Sequence, residues 1–316
     1  MAQQVWYRDI DGGYWGSPKL SADLRHQAQP QMRFLQKGLV RTVTDFSKHD
    51  SDQILFDKIS NLISAGRVIS ETETVPITKT KTYRSSLTVY ERGLAVSWTG
   101  KLDLLSQFSP NEIATIALKN DMAKCRDKAA GAAFQTTDMI YVPTGTVGAP
   151  TFDFATTGTP GASATRSITA YDVKVISRLM QTYNIPLWDS ANYICISSIN
   201  GLQDLADDDS WVEAAQFGDP ARLFSGEIGR YWGVRFLTEN NVLNGAIGTG
   251  GACGEMIFIG ADAVIQAVAE PPHLRLDIPS DFGRENKMAW LSTEGFCSTW
   301  DYSTEGETHI LRVFSL

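Results

Sequence analysis

The sequence is poor in the features that mark secreted, membrane or metal-binding proteins. In 316 residues it holds only four cysteines, Cys125, Cys195, Cys253 and Cys297, which lie far apart and never in a C-x-x-C spacing. No histidine lies at ligand spacing from any of them, so we predict reduced, buried thiols rather than a zinc site or a disulfide framework. The N-terminus lacks a basic region followed by an apolar run, and no stretch approaches 18 apolar residues. Secretion and membrane insertion are therefore not expected.

The sequence also lacks the signatures of common enzymes. It has four histidines, and none lies in a recognisable catalytic motif; no G-x-S-x-G occurs. The glycine-rich run Gly248–Gly254 precedes a predicted strand rather than a helix, so it is interpreted as a strand connection and not as a phosphate loop. The run Asp207–Asp209 lacks the spacing of a calcium loop and is interpreted as an exposed turn that caps the next helix. We expect no catalytic residue, no metal and no cofactor.

Charge is unevenly distributed along the chain. The formal net charge is −8, which argues against a dedicated nucleic-acid-binding protein. Residues 19–48 nevertheless carry six Lys/Arg against two Asp/Glu, whereas residues 190–290 carry 14 Asp/Glu against six Lys/Arg. Such an asymmetry is typical of a shell with an inside and an outside, and an ordinary variation in surface charge explains it equally well.

Two β-patterned stretches lie back to back, Arg67–Lys79 and Tyr83–Thr99. In the second stretch apolar residues alternate from Leu87 to Trp98, and in the first threonines alternate with glutamate, valine or isoleucine. Period-two patterning over a dozen residues or more predicts strands longer than the usual ~5–6 residues. A hairpin this long and this polar cannot bury itself in its own domain, so we expect it to lie on a neighbouring copy of the protein.

The most strongly signalled element is a helix over Ser109–Phe134. Ser109 is a suitable N-cap, Pro110 fits the first helical position, and Glu112 is placed to complete a capping box. About 25 residues at 1.5 Å each predict a rod of about 38 Å. A second capping box, Thr169 with Asp172, predicts a helix that continues to Tyr183.

The remaining elements alternate between helix and strand without a βαβ rhythm, which predicts an α+β fold. Ile54 to Ile63 has helical spacing, and Tyr141–Ala164 is interpreted as a Gly/Thr/Pro-rich loop. Further predicted strands are Tyr193–Ser197, Gly233–Thr238, Glu255–Gly260, Ala289–Trp300 and His309–Phe314, the last two as a pair. Further predicted helices are short, at Gly201–Leu205, Trp211–Phe217 and Asp262–Val268.

Residues 1–50 read as an arm with little apolar periodicity. Trp6, Tyr7 and Trp15 lie among glycines, and a basic stretch follows. These aromatic side chains could stack on single-stranded nucleic acid or anchor a neighbouring subunit, and we favour the anchor. The basic part adds a candidate for weak phosphate contact.

This order of parts resembles a known family. A basic arm, a long two-stranded loop, a long helix, an α+β region and closing strands are the parts of tailed-bacteriophage major capsid proteins of the Hong Kong 97-type fold. Ser64–Ile69 leads into Val75–Thr80, Leu87–Gly93 and Ala95–Thr99 as in the extended loop of such proteins. Gly226–Phe236 resembles the segment of their axial domain where a helix gives way to a strand.

The resemblance implies a division into regions. Residues 1–57 would be the N-terminal arm and 58–103 the extended loop. Residues 104–138 and 289–316 would form the peripheral domain with its spine helix, and residues 139–288 the axial domain.

The resemblance also implies function and partners. It implies a non-enzymatic coat protein of the virion that assembles in the host bacterial cytoplasm, through pentamers and hexamers, into an icosahedral shell around double-stranded DNA. Further expected partners are portal, scaffolding and in some cases decoration proteins, and we expect the scaffolding protein to be a separate chain. The expected intersubunit contacts are Trp6, Tyr7, Trp15, Lys79, Lys81, Tyr83 and Arg84. The candidates for facing DNA are Arg25, Arg33, Lys37 and Arg41.

Two other functions remain open from the sequence. One is a soluble enzyme of unknown chemistry that dimerises through the long hairpin. The other is a nucleic-acid-binding protein that uses the basic arm.

Overall fold

The computed structural model describes most of the chain from residue 29 onwards. The described residues are 29–30, 32–36, 39–43, 51–60, 62, 66–106, 108–189, 191–216, 227–243, 254–278, 282 and 284–316. The helices among them are α1 Gly100–Leu105, α2 Pro110–Phe134, α3 Ala170–Thr182, α4 Ile199–Ala206, α5 Asp209–Gln216 and α6 Tyr302–Glu305. The strands are β1 Val40–Val43, β2 Gln53–Ile59, β3 Thr82–Thr88, β4 Tyr90–Thr99, β5 Ile140–Thr146, β6 Ala149–Ala155, β7 Tyr193–Ser197, β8 Glu227–Tyr231, β9 Val234–Thr238, β10 Gly254–Ile259, β11 Val264–Leu276, β12 Glu285–Ser298 and β13 Ile310–Ser315.

A four-stranded sheet in the order β1-β11-β12-β4 supports the long helix α2. β11 and β12 form a long antiparallel hairpin, and β4 pairs with the other side of β12. Leu118 of α2 is fully buried in one cluster with Trp98, Met288 and Trp290 of the sheet. The Trp290 indole also donates to Asp121 of α2 at 2.9 Å. The N-terminal part of α2 is therefore fixed to this sheet by both apolar and polar contacts.

A seven-stranded sheet in the order β6-β5-β13-β10-β7-β9-β8 forms the second unit. Its central strands are apolar on both faces, because Tyr193 and Cys195 enter one core cluster while Ile194 and Ile196 enter another. Helix α3 covers the first face, where Val173 and its neighbours are buried.

The far end of α2 covers the second face of the seven-stranded sheet. Ala130, Ala133 and Phe134 share a cluster with Ile196 and other residues of that face. One helix of 25 residues, about 38 Å long, thus packs on the smaller sheet with its start and on the larger sheet with its end. The prediction of the long helix over Ser109–Phe134 is confirmed, although the Ser109 side chain makes no capping hydrogen bond.

A segment near the N-terminus is part of the same core. Phe34 is fully buried and packs on Phe134, with 5.3 Å between the ring centroids. The Phe34 N–H donates to the Asp127 carboxylate of α2 at 3.0 Å, and β1 pairs in parallel with β11. The described part of the predicted arm is therefore held along the long helix α2, which we call the spine helix, and along the four-stranded sheet, which we call the small sheet.

The predicted long hairpin is wrong in both arms, since Tyr83–Thr99 is divided into β3 and β4, which lie in different sheets. β3 pairs antiparallel with β2, as in the register Lys58 opposite Tyr83, to form a two-stranded ribbon. The predicted strand over Arg67–Lys79 is wrong, since these residues hold a turn at 71–73 and otherwise no regular structure. The predicted helix from Ile54 is also wrong, because Gln53–Ile59 form strand β2.

Other sequence predictions have mixed outcomes. Strand Tyr193–Ser197 is confirmed with the same bounds, and α3 begins after Thr169, whose N–H donates to Asp172 at 2.9 Å. The predicted helix Asp262–Val268 is instead the start of β11, and the predicted loop Tyr141–Ala164 contains the hairpin β5–β6. The last two strands do not pair, because β12 belongs to the small sheet and β13 pairs with β10 and β5.

Candidate intersubunit surfaces

The ribbon β2–β3 carries a loop that buries nothing in its own chain. Every residue of the segment 66–81 is exposed, including Val68 at 97% and Ile77 at 93% of their full accessible area. The loop has local order, because Glu73 N–H donates to Ser70 O at 3.0 Å and Arg67 forms an ion pair with Glu73. We call residues 66–81 the loop surface. Exposed valine and isoleucine on an ordered projection are typical of a contact made with another molecule.

A second exposed apolar surface lies at one end of the four-stranded sheet. Helix α1 has no buried residue, and Leu104 is 86% exposed. The turn between β11 and β12 lies beside it, since Gly100 N–H donates to Arg284 O at 2.8 Å. We call this group the tip surface; its apolar members are Leu102, Leu104, Leu105, Leu276, Ile278 and Phe282.

Among the described residues around the tip surface, three basic and three acidic side chains balance, whereas Asp281 of the same turn lies outside the described residues. The basic residues are Lys101, Arg284 and Lys287, and the acidic residues are Asp103, Asp277 and Glu285. Lys287 and Glu285 form an ion pair of 3.1 Å. Because the described charges near this apolar group are of both signs, two copies of this chain could meet here with less repulsion than a surface of uniform negative charge would cause.

Four of the predicted contact residues lie on the ribbon and its loop. Lys79 and Lys81 are exposed on the loop surface, and Tyr83 is half-buried on β3. Arg84 faces outward and binds Asp57 with two hydrogen bonds of 2.6 and 3.0 Å. This hydrogen bonding lowers the pKa of Asp57 and raises the pKa of Arg84. The structure thus brings these four residues together, and their contact with another copy stays a prediction.

Two of the candidate DNA-facing residues are described. Arg33 is half-buried next to Phe34, and Arg41 lies exposed on β1, where it contacts Asp262 at 3.5 Å. Both therefore lie on the described part of the arm. The other predicted residues lie outside the described residues: Trp6, Tyr7, Trp15, Arg25 and Lys37.

The acidic turn has the structural role that the sequence predicted, and a second one. Asp208 accepts from Ser210 N–H of α5 at 2.9 Å and from Ala170 N–H of α3 at 3.0 Å. One carboxylate therefore caps the N-termini of two helices. In the described part of the chain, no group of three or more His, Cys, Asp or Glu side chains is arranged to hold a metal ion. No described helix is long and apolar enough to cross a bilayer.

Sequence reasoning missed the tip surface. The leucines of α1 and the apolar residues of the β11–β12 turn look like ordinary core residues in a pattern of hydrophobicity. Their exposure follows from how the described elements are arranged in space, since none of these elements packs over them, and only the fold reveals this. The signal that could have found them is the short segment Gly100–Leu105, apolar but too short to form a stable helix by itself.

The two sheets, the spine helix and the projecting ribbon define the class of protein: the chain has the Hong Kong 97-type capsid fold, in its α+β form. Comparison with solved structures gives the particulars. The capsid of Ralstonia phage GP4 aligns with a TM-score of 0.66 and 14% identity over 97% of this chain and 96% of that one. The cyanophage Pam1 capsid asymmetric unit aligns with a TM-score of 0.66 and 16% identity over 98% and 99%.

A third solved structure matches over nearly the whole of both chains. It is the acidic stable capsid structure of Helicobacter pylori bacteriophage KHP30, with a TM-score of 0.70, 12% identity and 99% of each chain covered. No family model matches the sequence, and no curated protein matches it either. At this identity the likeness shows the fold.

Proposed function

We propose that this chain is a major capsid protein of a tailed bacteriophage, which assembles through pentamers and hexamers into an icosahedral shell around double-stranded DNA. The observation that carries the proposal is the pairing of this fold with two exposed apolar surfaces. Within the described part of the chain the residues of the loop surface and the apolar residues of the tip surface are all exposed, and the fold matches capsid structures over nearly the whole of both chains.

The loop surface supports assembly through its reach. It projects from the ribbon β2–β3 and presents Val68, Val75 and Ile77 to solvent. A shell subunit has to share area with several neighbours, and large interfaces between obligate partners are apolar at their centres. A projecting loop of this kind can extend past the nearest neighbour.

The tip surface supports assembly through its composition. Exposed leucines and Phe282, with described charges of both signs nearby, form a patch that favours a second copy of the same chain over a highly charged partner. A heterologous contact, in which different surfaces of two copies meet, generates rings or larger assemblies rather than dimers.

The remaining parts of the proposal are supported by the likeness to phage capsid structures. The protein would lie in the virion capsid and would assemble in the host bacterial cytoplasm, together with a portal protein, a scaffolding protein and in some cases decoration proteins. The exposed Arg41 and the half-buried Arg33 support weak, non-specific contact with packaged phosphates.

Shortening the loop tests the proposal. Replacing residues 68–79 with a four-residue Gly/Ser linker leaves β2 and β3 intact, because Ser60 N–H still donates to Lys81 O at the end of the ribbon. We expect a folded subunit with an unchanged thermal midpoint that sediments as a free subunit. The full-length chain, with a scaffolding protein where needed, should sediment as capsomers or shells. Shells formed by the shortened chain at wild-type yield would contradict the proposal.

A further inference from the structure

The ribbon that carries the loop surface contains a buried cation. Lys58, near the outer end of β2, has only 6% of its side chain exposed. Its ammonium lies 2.5 Å from the Glu305 carboxylate and donates to Thr299 O at 2.6 Å. The Trp300 ring centroid lies 4.9 Å away, so the cation also has an aromatic face beside it. Lysine is rarely buried unless it is paired in this way.

Glu305 receives hydrogen bonds from both strands of the ribbon. Lys58 of β2 donates to it, and Ser85 Oγ of β3 donates at 3.3 Å. The carboxylate is itself held in place, since Asp301 N–H donates to it at 3.1 Å within the turn of α6. The Glu305 carboxylate of α6 therefore binds both strands of the ribbon near the end from which the loop surface extends.

The other end of the ribbon has a separate, apolar attachment. Leu87 is 1% exposed and shares a cluster with Ile265 and Ala267 of the small sheet, and Ile54 and Phe56 pack against that cluster. From Ile54 to Lys58 the strand advances by four residues, or about 14 Å. Ile54, Phe56 and Lys58 alternate on the inner face of β2. The ribbon is thus attached at two points along its length.

We propose that the Lys58–Glu305 pair is a positioning device that sets the direction in which the loop surface leaves the body. A ribbon held only by its apolar end can pivot, whereas a ribbon that is also held at Lys58, two residues or about 7 Å beyond Phe56, has a fixed direction. Its consequence, namely which neighbouring copy the loop reaches, rests on the proposed function. The positioning itself is a property of the single chain.

The chemistry of the pair fits positioning better than stabilisation. Taking two charges out of water offsets most of their attraction, so a buried ion pair adds little net stability while it permits few alternative geometries. An apolar contact would tolerate sliding of the ribbon, but the ammonium has to meet Glu305, Thr299 O and the Trp300 ring at once.

The test is a distance measurement in the dilute, unassembled subunit. Spin labels are introduced as non-canonical amino acids at Val75 on the loop surface and at Asp204, which is exposed on α4. Pulsed electron resonance then gives the distribution of distances between them. The variant is Lys58→Met with Glu305→Gln, because the glutamine oxygen can still accept from Asp301 N–H while its amide nitrogen can donate to Ser85 Oγ. We expect the width of the distribution to at least double while the thermal midpoint stays within a few degrees.

A matched control removes an exposed ion pair by the same substitutions. Arg275 and Glu270 lie 2.8 Å apart on β11, away from the ribbon. Arg275→Met with Glu270→Gln should leave the distance distribution as narrow as in the wild type. If the ribbon variant does not fold, Ser85→Ala is used, which removes one hydrogen bond from the ribbon to Glu305 and leaves the buried ion pair intact, and a smaller broadening is expected.

A folded ribbon variant with a wild-type distribution overturns the positioning role. Because the measurement is made on single subunits, this result is distinct from a failure to form shells, which would contradict the proposed function instead.

Discussion

Arg126 of the spine helix and Glu294 of β12 form a two-point ion pair, with Nε and Nη2 of the arginine 2.8 and 3.1 Å from the two carboxylate oxygens. Glu294 is fully buried and also accepts from the Gln266 side chain at 2.8 Å. The pair therefore joins α2, β12 and β11 at the middle of the small sheet.

Arg126→Met is expected to destabilise the subunit by about 3 kcal/mol, because it leaves a buried carboxylate without its counter-ion. Chemical denaturation of the subunit measures this free energy of unfolding. Adding Glu294→Gln to the same chain removes the buried charge and should restore at least half of the loss. An Arg126→Met subunit as stable as the wild type would show that Glu294 does not need Arg126 as a counter-ion.

Leu104→Ser with Leu105→Ser should leave subunit stability within about 0.5 kcal/mol, since both side chains are exposed. Assembly should fall at least tenfold, as measured by the fraction of protein in particles on a sucrose gradient. Val147, at the turn between β5 and β6, is similarly exposed and belongs to neither surface. Val147→Ser is therefore the matched control. Equal assembly of the two variants would show that the tip surface is not part of an intersubunit interface.

The stability of the subunit should depend on pH because of the buried side chain of His309. Burial lowers its pKa below the usual 6.5, while its Nδ1 lies 3.3 Å from Asp262 O. At pH above 6.5 the ring is neutral in both states; as the pH falls below that value, the unfolded chain binds a proton before the folded one does. Stability is thus lost between pH 6.5 and the lowered pKa. His309→Gln should flatten this part of the curve, and thermal midpoints from pH 7.5 to 5 provide the check.

Trp232 has a left-handed backbone, with φ of 48°, in the tight turn between β8 and β9, and Gly233 follows with φ of 77°. Such a conformation costs a bulky residue of order 1 kcal/mol, and an Asn-Gly pair suits this turn. Trp232→Asn should therefore raise the free energy of unfolding by about 0.5–1 kcal/mol, less what is lost from the contact of Lys174 with the indole at 5.5 Å. Differential scanning calorimetry measures the change, and a lower thermal midpoint would contradict it.

Local signals made much of the fold predictable. Pro110 at the first position of α2 and Thr169 with Asp172 before α3 mark helix starts that depend on neighbours in sequence. The strand Tyr193–Ser197 is apolar throughout, as expected for a central strand buried on both faces. These elements need no knowledge of the rest of the chain.

The ribbon was not predictable in the same way. On β2 the exposed side carries Leu55 and Ile59, and the inward side carries Lys58 beside Ile54 and Phe56, so hydrophobicity does not distinguish the two faces. The alternation in Arg67–Lys79 has no buried partner and forms no strand. The start of β11, a short apolar run, is compatible with helix or strand until its pairing with β12 decides.

The candidate site was predictable only in part. The sequence pointed to the region around Lys79, Lys81, Tyr83 and Arg84, which the structure places on one projection. The exposed tip surface and the buried Lys58 could not be predicted, because exposure and burial at those positions depend on distant elements.

Electron microscopy of the purified full-length protein, alone and with a scaffolding protein, tests the central claim most directly. The proposed function predicts closed icosahedral particles, or rings of five and six subunits, that are lost when residues 68–79 are shortened. A full-length protein that stays a monomer or dimer at high concentration under both conditions would contradict it.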